Sequence, residues 1–135
     1  MPSTATTLRQ IAQFVSLQGH HTGQQFAVKN PRWQLDVCAV AYVMANNTVC
    51  PDVFYTDEAA SERLIQANAP AMAAIKAISD ALDTDACETN GEPDYIEHVC
   101  CWAANPPIGS SVPPSTDEVI GRILRAADHA QTSAA

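Results

Sequence analysis

Residues 36–46 read DVCAVAYVMAN. From Val37 to Asn46 no residue carries a charge, and Val37, Val40, Ala41 and Met44 form the strongest stripe at helical spacing, with apolar side chains on nearly every other face. Asp36, short and acidic, stands directly before this run, where a side-chain oxygen can accept an N–H of the first turn. The pattern predicts a helix over 37–46. A helix that is apolar all round must be covered on several sides, so it belongs at the centre of a bundle. The expected fold is therefore all-α, a compact single-domain bundle of five or six helices over 1–135, with loose ends at 1–5 and 131–135. In it the first and last helices contact the central one.

Outward from that centre, the flanking helices show themselves by caps and periodicity. Thr7 and Gln10 have capping-box spacing, Leu8, Ile11, Ala12 and Val15 repeat at i, i+3, i+4 and i+7, and Gly19 can end the helix, which predicts 7–18. Residues 20–35 are polar, with Gly23 and Asn30-Pro31, and read as a long loop or a loop with a short strand around 26–28. After a loop holding Pro51, Thr56, Asp57 and Glu58 open a helix whose Ala60, Leu64 and Ala67 face inward. Pro70 is tolerated in a first turn but not in a helix interior, so Asn68 caps a separate helix through Ile75, Ile78 and Leu82; one kinked helix over 57–82 is the alternative. Asp94 and Glu97 have capping-box spacing at the start of a short helix over 95–103, with an alternating strand as the other reading. Beyond the prolines at 106, 107, 113 and 114, Ser115 and Glu118 cap a last helix carrying Val119, Ile120, Ile123, Leu124 and Ala127.

Composition narrows the function. Of the apolar residues 23 are alanine, whereas Leu, Ile, Val and Phe together number 27, so the core is thin and depends on close helix approach. The net charge is −8, which argues against nucleic acid as a partner, because phosphate neutralisation needs clustered Lys and Arg. Residues 1–35 carry Arg9, Lys29 and Arg32 and no acid, while all fifteen acids follow; the two regions are expected to attract each other. The opening stretch has neither the apolar run nor the small-residue cleavage site of a signal peptide, and no uncharged apolar stretch approaches membrane-spanning length. The expectation is a cytoplasmic protein with no membrane partner. Five cysteines, an odd number without an export signal, argue against a disulfide framework.

Cys38 is the most informative single residue for chemistry. A thiol in the first turn of a helix meets the positive end of the dipole and free N–H groups, both of which favour thiolate. As a nucleophile it needs a base, for which His20, His21 and His98 are candidates, with Asn105 or Asp94 to orient one of them. Its apolar neighbours Val37, Ala39 and Val40 favour instead a buried core thiol. Cys87, His98, Cys100 and Cys101 offer soft metal ligands, but no C-x-x-C and no i, i+4 histidine pair exists, so no metal and no cofactor is expected. Seven acids and no base lie between Asp80 and Glu97. Asp83, Asp85, Glu88 and Glu92 are therefore candidates for docking on a basic patch, the simpler reading being a solvated loop around Asn90-Gly91. Trp33 and Trp102, each beside loop sequence, are candidate partner anchors or half-buried core.

The chain resembles a family of small uncharacterised helical proteins from actinobacteria and their phages. The likeness rests on the opening helix with Leu8 to Ala12 ending at Gly19, Cys38-Ala39 at a helix start, Trp102 after a short helix, and the closing helix with Thr116 to Val119 and Ala126-Ala127. The family carries Gly-Trp at the place of Gly19-His20 and Trp-Asn-Asp at the place of Trp102-Ala103-Ala104. The resemblance implies a helical fold and an actinobacterial or phage setting, and brings no activity with it. The expected function is that of a non-catalytic accessory protein binding another protein, in the form of a phage-encoded host modulator. The alternatives are a cysteine-nucleophile enzyme using Cys38, and a virion component.

Overall fold

The computed structural model describes residues 2–30 and 32–134. Helix α1 (Thr4–Gln18) starts one turn earlier than the Thr7–Gln10 spacing predicts. Ser3 is the cap, its hydroxyl accepting the Thr6 N–H at 3.1 Å. The earlier cap prevails because Ala5 and Thr7 are themselves buried, so the extra turn covers core surface. Gly19 closes the helix at φ 71°, a left-handed conformation suited to glycine, and its N–H reaches the Val15 carbonyl at 2.8 Å.

The polar segment that follows is more ordered than a loop. Strand β1 (Ala27–Val28) pairs antiparallel with β2 (Gln34–Leu35), Ala27 opposite Leu35 and Val28 opposite Gln34. Two further bonds extend this ladder, His21 N–H to the Leu35 carbonyl and Asp36 N–H to the Phe26 carbonyl, both at 2.8 Å. The ladder delivers the chain directly into helix α2 (Val37–Asn46), whose bounds are those predicted. Seven of its residues are buried, including Val37, Cys38, Val40 and Val43.

Next come the single turn α3 (Val53–Thr56), helix α4 (Glu58–Gln66) and helix α5 (Ala69–Asp80). Asp57 caps α4 by accepting the Ala60 N–H, and Asn68 caps α5 by accepting the Ala71 N–H, each at 3.0 Å. The stretch 57–82 is thus two helices, not one kinked helix. Asn68 is held by Asn46 at the end of α2, the two side-chain amides exchanging hydrogen bonds at 2.9 and 3.2 Å. Strands β3 (Glu88–Thr89) and β4 (Glu92–Pro93) form an exposed hairpin with Asn90-Gly91 at its tip, both at positive φ. Asp94 caps α6 (Tyr95–Ala104). Ser115 and Glu118 cap α7 (Thr116–Ala134) reciprocally, Ser115 Oγ accepting the Glu118 N–H at 3.2 Å and Glu118 Oε1 accepting the Ser115 N–H at 3.3 Å.

The fold is all-α, with seven helices among the described residues. The helix beyond the expected five or six is α3, too short to leave a periodic signal. Helix α2 is covered by α1, α5 and α6, whereas α7 lies along α1 and against α5. The last helix, expected against the central one, packs chiefly on α1, and its Val119, Ile123, Ala126 and Ala127 are buried. Helix also replaces the expected loose ends at residues 4–5 and 131–134, while Met1 and Ala135 lie outside the described residues. Phe54 is fully buried between Phe26 and Tyr42, ring centroids 6.0 and 5.4 Å away. Among the described residues no helix is long and apolar enough to cross a membrane.

The break between α4 and α5 depends on one amide. Asn68→Ala is expected to lower stability by about 1–2 kcal/mol, because it removes a cap and strands the Asn46 amide. Ser3→Ala, at an exposed helix start, is expected to cost less. Urea unfolding of the two variants checks the order.

Candidate functional site

The N-terminus of α2 is buried, and its cap is buried with it. Asp36 Oδ1 accepts the Ala39 N–H at 2.7 Å, and the other oxygen, Oδ2, accepts the Cys100 thiol from α6 at 3.6 Å. Cys100 also stands 3.6 Å from Cys38 Sγ, and Cys38 in turn points at the Ile96 carbonyl, 3.9 Å away. One carboxylate and two thiols therefore share a site between α2 and α6. Burial pushes the Asp36 carboxyl up to about 7, although the Ala39 N–H, the Cys100 thiol and the Cys38 N–H all favour its charged form.

The structure places Cys38 out of reach of solvent, in keeping with the core reading. The helix start does not lower the thiol. The Cys100 hydrogen bond favours ionisation of Cys38, but burial and the nearby carboxylates of Asp36, Asp94 and Glu97 outweigh it, and the thiol is raised above its ordinary value. Cys100 is raised further, first by its contact with Cys38, then by burial.

The candidate bases lie elsewhere. His98 is buried, its Nδ1 2.6 Å from Ser79 Oγ on α5 and its Nε2 2.7 Å from Thr84 Oγ1. Burial lowers its pKa against the pull of Asp85 and Asp80, so the neutral ring ties α5 to α6. His21 Nε2 accepts the Gly23 N–H at 3.1 Å, and burial lowers both His21 and His20. Among the described residues no histidine is hydrogen-bonded to Cys38, and Asn105 donates to the Cys101 carbonyl and thiol instead of orienting a ring.

The proposed metal ligands are not brought together. Cys87 points at the Asp94 carbonyl, Cys101 is exposed, and His98 and Cys100 engage α5 and α2 respectively. Among the described residues no group of three or more His, Cys, Asp or Glu side chains is arranged to hold a metal ion. Cys100 and Cys101 open instead onto a cleft of about 380 Å³ whose acids are Asp36, Glu58, Glu62 and Glu97. No Lys or Arg lines it, and Glu62 is raised by burial and then by Asp94, Glu97 and Glu58.

Of the expected interaction residues, Asp83 is engaged in a two-pronged ion pair with Arg122 of α7, at 3.0 and 2.6 Å. Asp85, Glu88 and Glu92 are solvated on or beside the hairpin. The attraction expected between the two charge regions is represented by Arg9, which meets Asp128 at 3.9 Å and Gln131. Trp102 is half-buried beside Asp83 and Arg122. Trp33 is 44% exposed, hydrogen-bonded to Tyr55, and set edge-on to Phe14 at 6.4 Å.

Beside that aromatic pair lies a feature the periodic pattern does not reveal. A groove of about 680 Å³ runs between the ends of α1 and α2, with Phe14, Leu17 and Met44 in its lining and Gln10, Gln13 and Asn46 among its polar groups. Leu17 falls off the Leu8–Ile11–Ala12–Val15 stripe and is 73% exposed. An apolar residue off the buried stripe at a helix end is the signal that marks this groove.

Two measurements test this geometry. Iodoacetamide is expected to modify Cys87 and Cys101 of the native protein first and Cys38 only on unfolding; early modification of Cys38 contradicts its burial. The second concerns Asp36, whose folded value of about 7 stands against 3.8 for the free group. Between those values the native state holds this proton more tightly than the unfolded state, so its contribution to stability falls as pH rises through the window. His20, His21 and His98, all lowered, act in the opposite sense. Wild type is therefore compared with Asp36→Asn, which keeps a capping oxygen. The difference in urea midpoint is expected to move against wild type between about pH 4 and pH 7, and a constant difference contradicts it.

No family model, curated protein or solved structure matches this chain.

Proposed function

We propose that this protein is a small non-catalytic accessory protein that acts by binding another protein, with the groove between α1 and α2 as its docking surface. The observation that carries the reading is an apolar hollow bounded by Phe14, Leu17 and Met44 and rimmed by uncharged amides. An apolar centre with a polar rim is common to protein interfaces. Its volume of about 680 Å³ admits a few large apolar side chains.

The occupant we assign is an amphipathic segment of a different protein, apolar where it enters the groove and basic where it leaves it. Charge supports that choice. The chain carries −8, so a second copy is repelled, whereas a segment rich in Lys and Arg is drawn in at low to moderate ionic strength. The family resemblance makes an actinobacterial extract the material for a test, with a phage-encoded host modulator as the biological form of the reading.

Leu17→Asp alters an exposed side chain and leaves the core intact. A partner captured from actinobacterial extract by the wild-type protein is expected to bind this variant about tenfold more weakly or worse. Val112→Asp, on an exposed loop away from the groove, is expected to bind as wild type does. Binding that ignores Leu17→Asp, or capture of no partner at all, overturns the reading.

A further inference from the structure

We propose that Cys38 and Cys100 form a reversible dithiol–disulfide site, opened to small-molecule disulfides through the cleft at α6, with Asp36 as the proton acceptor for Cys100. The geometry separates this pair from the other cysteines. Cys38 in the first turn of α2 and Cys100 in the middle of α6 already stand with their sulfurs 3.6 Å apart, although they are 62 positions apart in sequence. A disulfide requires the sulfurs to close to ~2.05 Å, a movement within reach of side-chain rotation. A space of about 20 Å³ bounded by His21, Asp36 and Cys100 adjoins the Cys100 side chain. Cys101, one helix position on, projects ~100° away from Cys100, and Cys87 stands against the Asp94 carbonyl.

The two thiols have different access, and that difference assigns their roles. Cys100 is partly exposed and lines the cleft beside Glu58, Glu62 and Glu97. Cys38 is fully buried behind it. Cys100 is therefore the sulfur that meets an incoming reagent, and Cys38 the one that resolves the product.

Asp36 Oδ2 already receives the Cys100 thiol at 3.6 Å. When the thiol proton passes to that carboxylate, the Cys100 sulfur attacks one sulfur of a small disulfide RSSR, forms a Cys100–SR bond and breaks the S–S bond. The released RS⁻ takes up a proton as RSH. Cys38 then gives up its proton, attacks Cys100 Sγ and expels the second RS⁻, which is protonated in turn. Two protein thiols and RSSR become one protein disulfide and two RSH. Two electrons pass from the protein to the reagent, and both thiol protons end on the released thiols. The bond staples the first turn of α2 to α6 and withdraws the Cys100 thiol from the cleft and from Asp36. The acid-lined cleft is thereby given two chemically distinct states.

The test uses the full chain carrying Cys87→Ser and Cys101→Ser, both at exposed positions, so that three of the five cysteines remain. Treated under native conditions with cystamine, a small disulfide whose ammonium groups suit the acid-lined cleft, it is expected to lose two of three free thiols, and peptide mass spectrometry is expected to find Cys38 joined to Cys100. Dithiothreitol is expected to restore all three, and the oxidised form to show a higher Tm. A further Cys38→Ser is expected to stop at a mixed disulfide on Cys100, while Asp36→Asn, which preserves the cap, slows the first step by about tenfold. Circular dichroism confirms that each variant is folded. Three free thiols after treatment, or a bond that forms only in urea, overturns the site; an unchanged rate in Asp36→Asn overturns the role of Asp36.

Discussion

Every α-helix begins with N–H groups that have no partner inside the helix. At a surface, water supplies one; in a bundle centre it cannot. Helix α2 has no charged residue to hold any of its faces in solvent, so its first turn is buried, and a partner for those groups has to be buried too. Asp36 is that partner. The strand pair β1–β2 fixes its backbone through the Phe26 carbonyl, and α6 brings a thiol to its second oxygen. A carboxylate in this position accepts a raised pKa as the cost of satisfying the helix start.

Helix α6 is held from two sides, and its sequence shows how. His98 and Cys100 are two positions apart, so they point about 200° apart around the axis. One bonds Ser79 of α5 and the other Asp36 at the start of α2. The helix is wedged between these neighbours by a neutral imidazole on one flank and a thiol on the other. Its remaining surface, with Glu97 and Cys101, forms a wall of the acidic cleft. Cys100 belongs to both sets, anchoring α6 to Asp36 while reaching the cleft.

Most of the helical architecture was legible because short polar residues stand at the helix starts. Asp36, Asn68, Asp94 and Ser115 with Glu118 all cap where a local reading puts them. The start of α1 was misread because Thr7–Gln10 mimics a cap inside a helix that Ser3 has already opened. Strand β2 was missed because two residues carry no periodicity and its pairing with β1 is set across a loop. The candidate site was legible only in part. Cys38 stood out, but its partner lies 62 residues away, and nothing in local spacing joins two lone cysteines on different helices. Asp36 was read as a cap and no more, since the cap alone accounts for an acid at that position. The groove at Phe14 and Leu17 depends on how α1 and α2 meet, which the pattern of either helix alone does not contain.

The embrace of α1 by α7 has a consequence for how the chain reaches this structure. Arg9 meets Gln131 across a separation of 122 residues, so the pairing of these two helices closes a loop nearly as long as the chain. Contacts of such sequence separation raise contact order and slow folding compared with a bundle whose neighbours are adjacent in sequence. Helices α2, α5 and α6 can assemble from nearer parts, with α1 joining through α2. Until α7 arrives, the face of α1 that it covers stays wet. The docking of α7 on α1 is therefore the contact that topology makes slowest to form, and an apolar strip on α1 is the surface that it protects from the wrong neighbour.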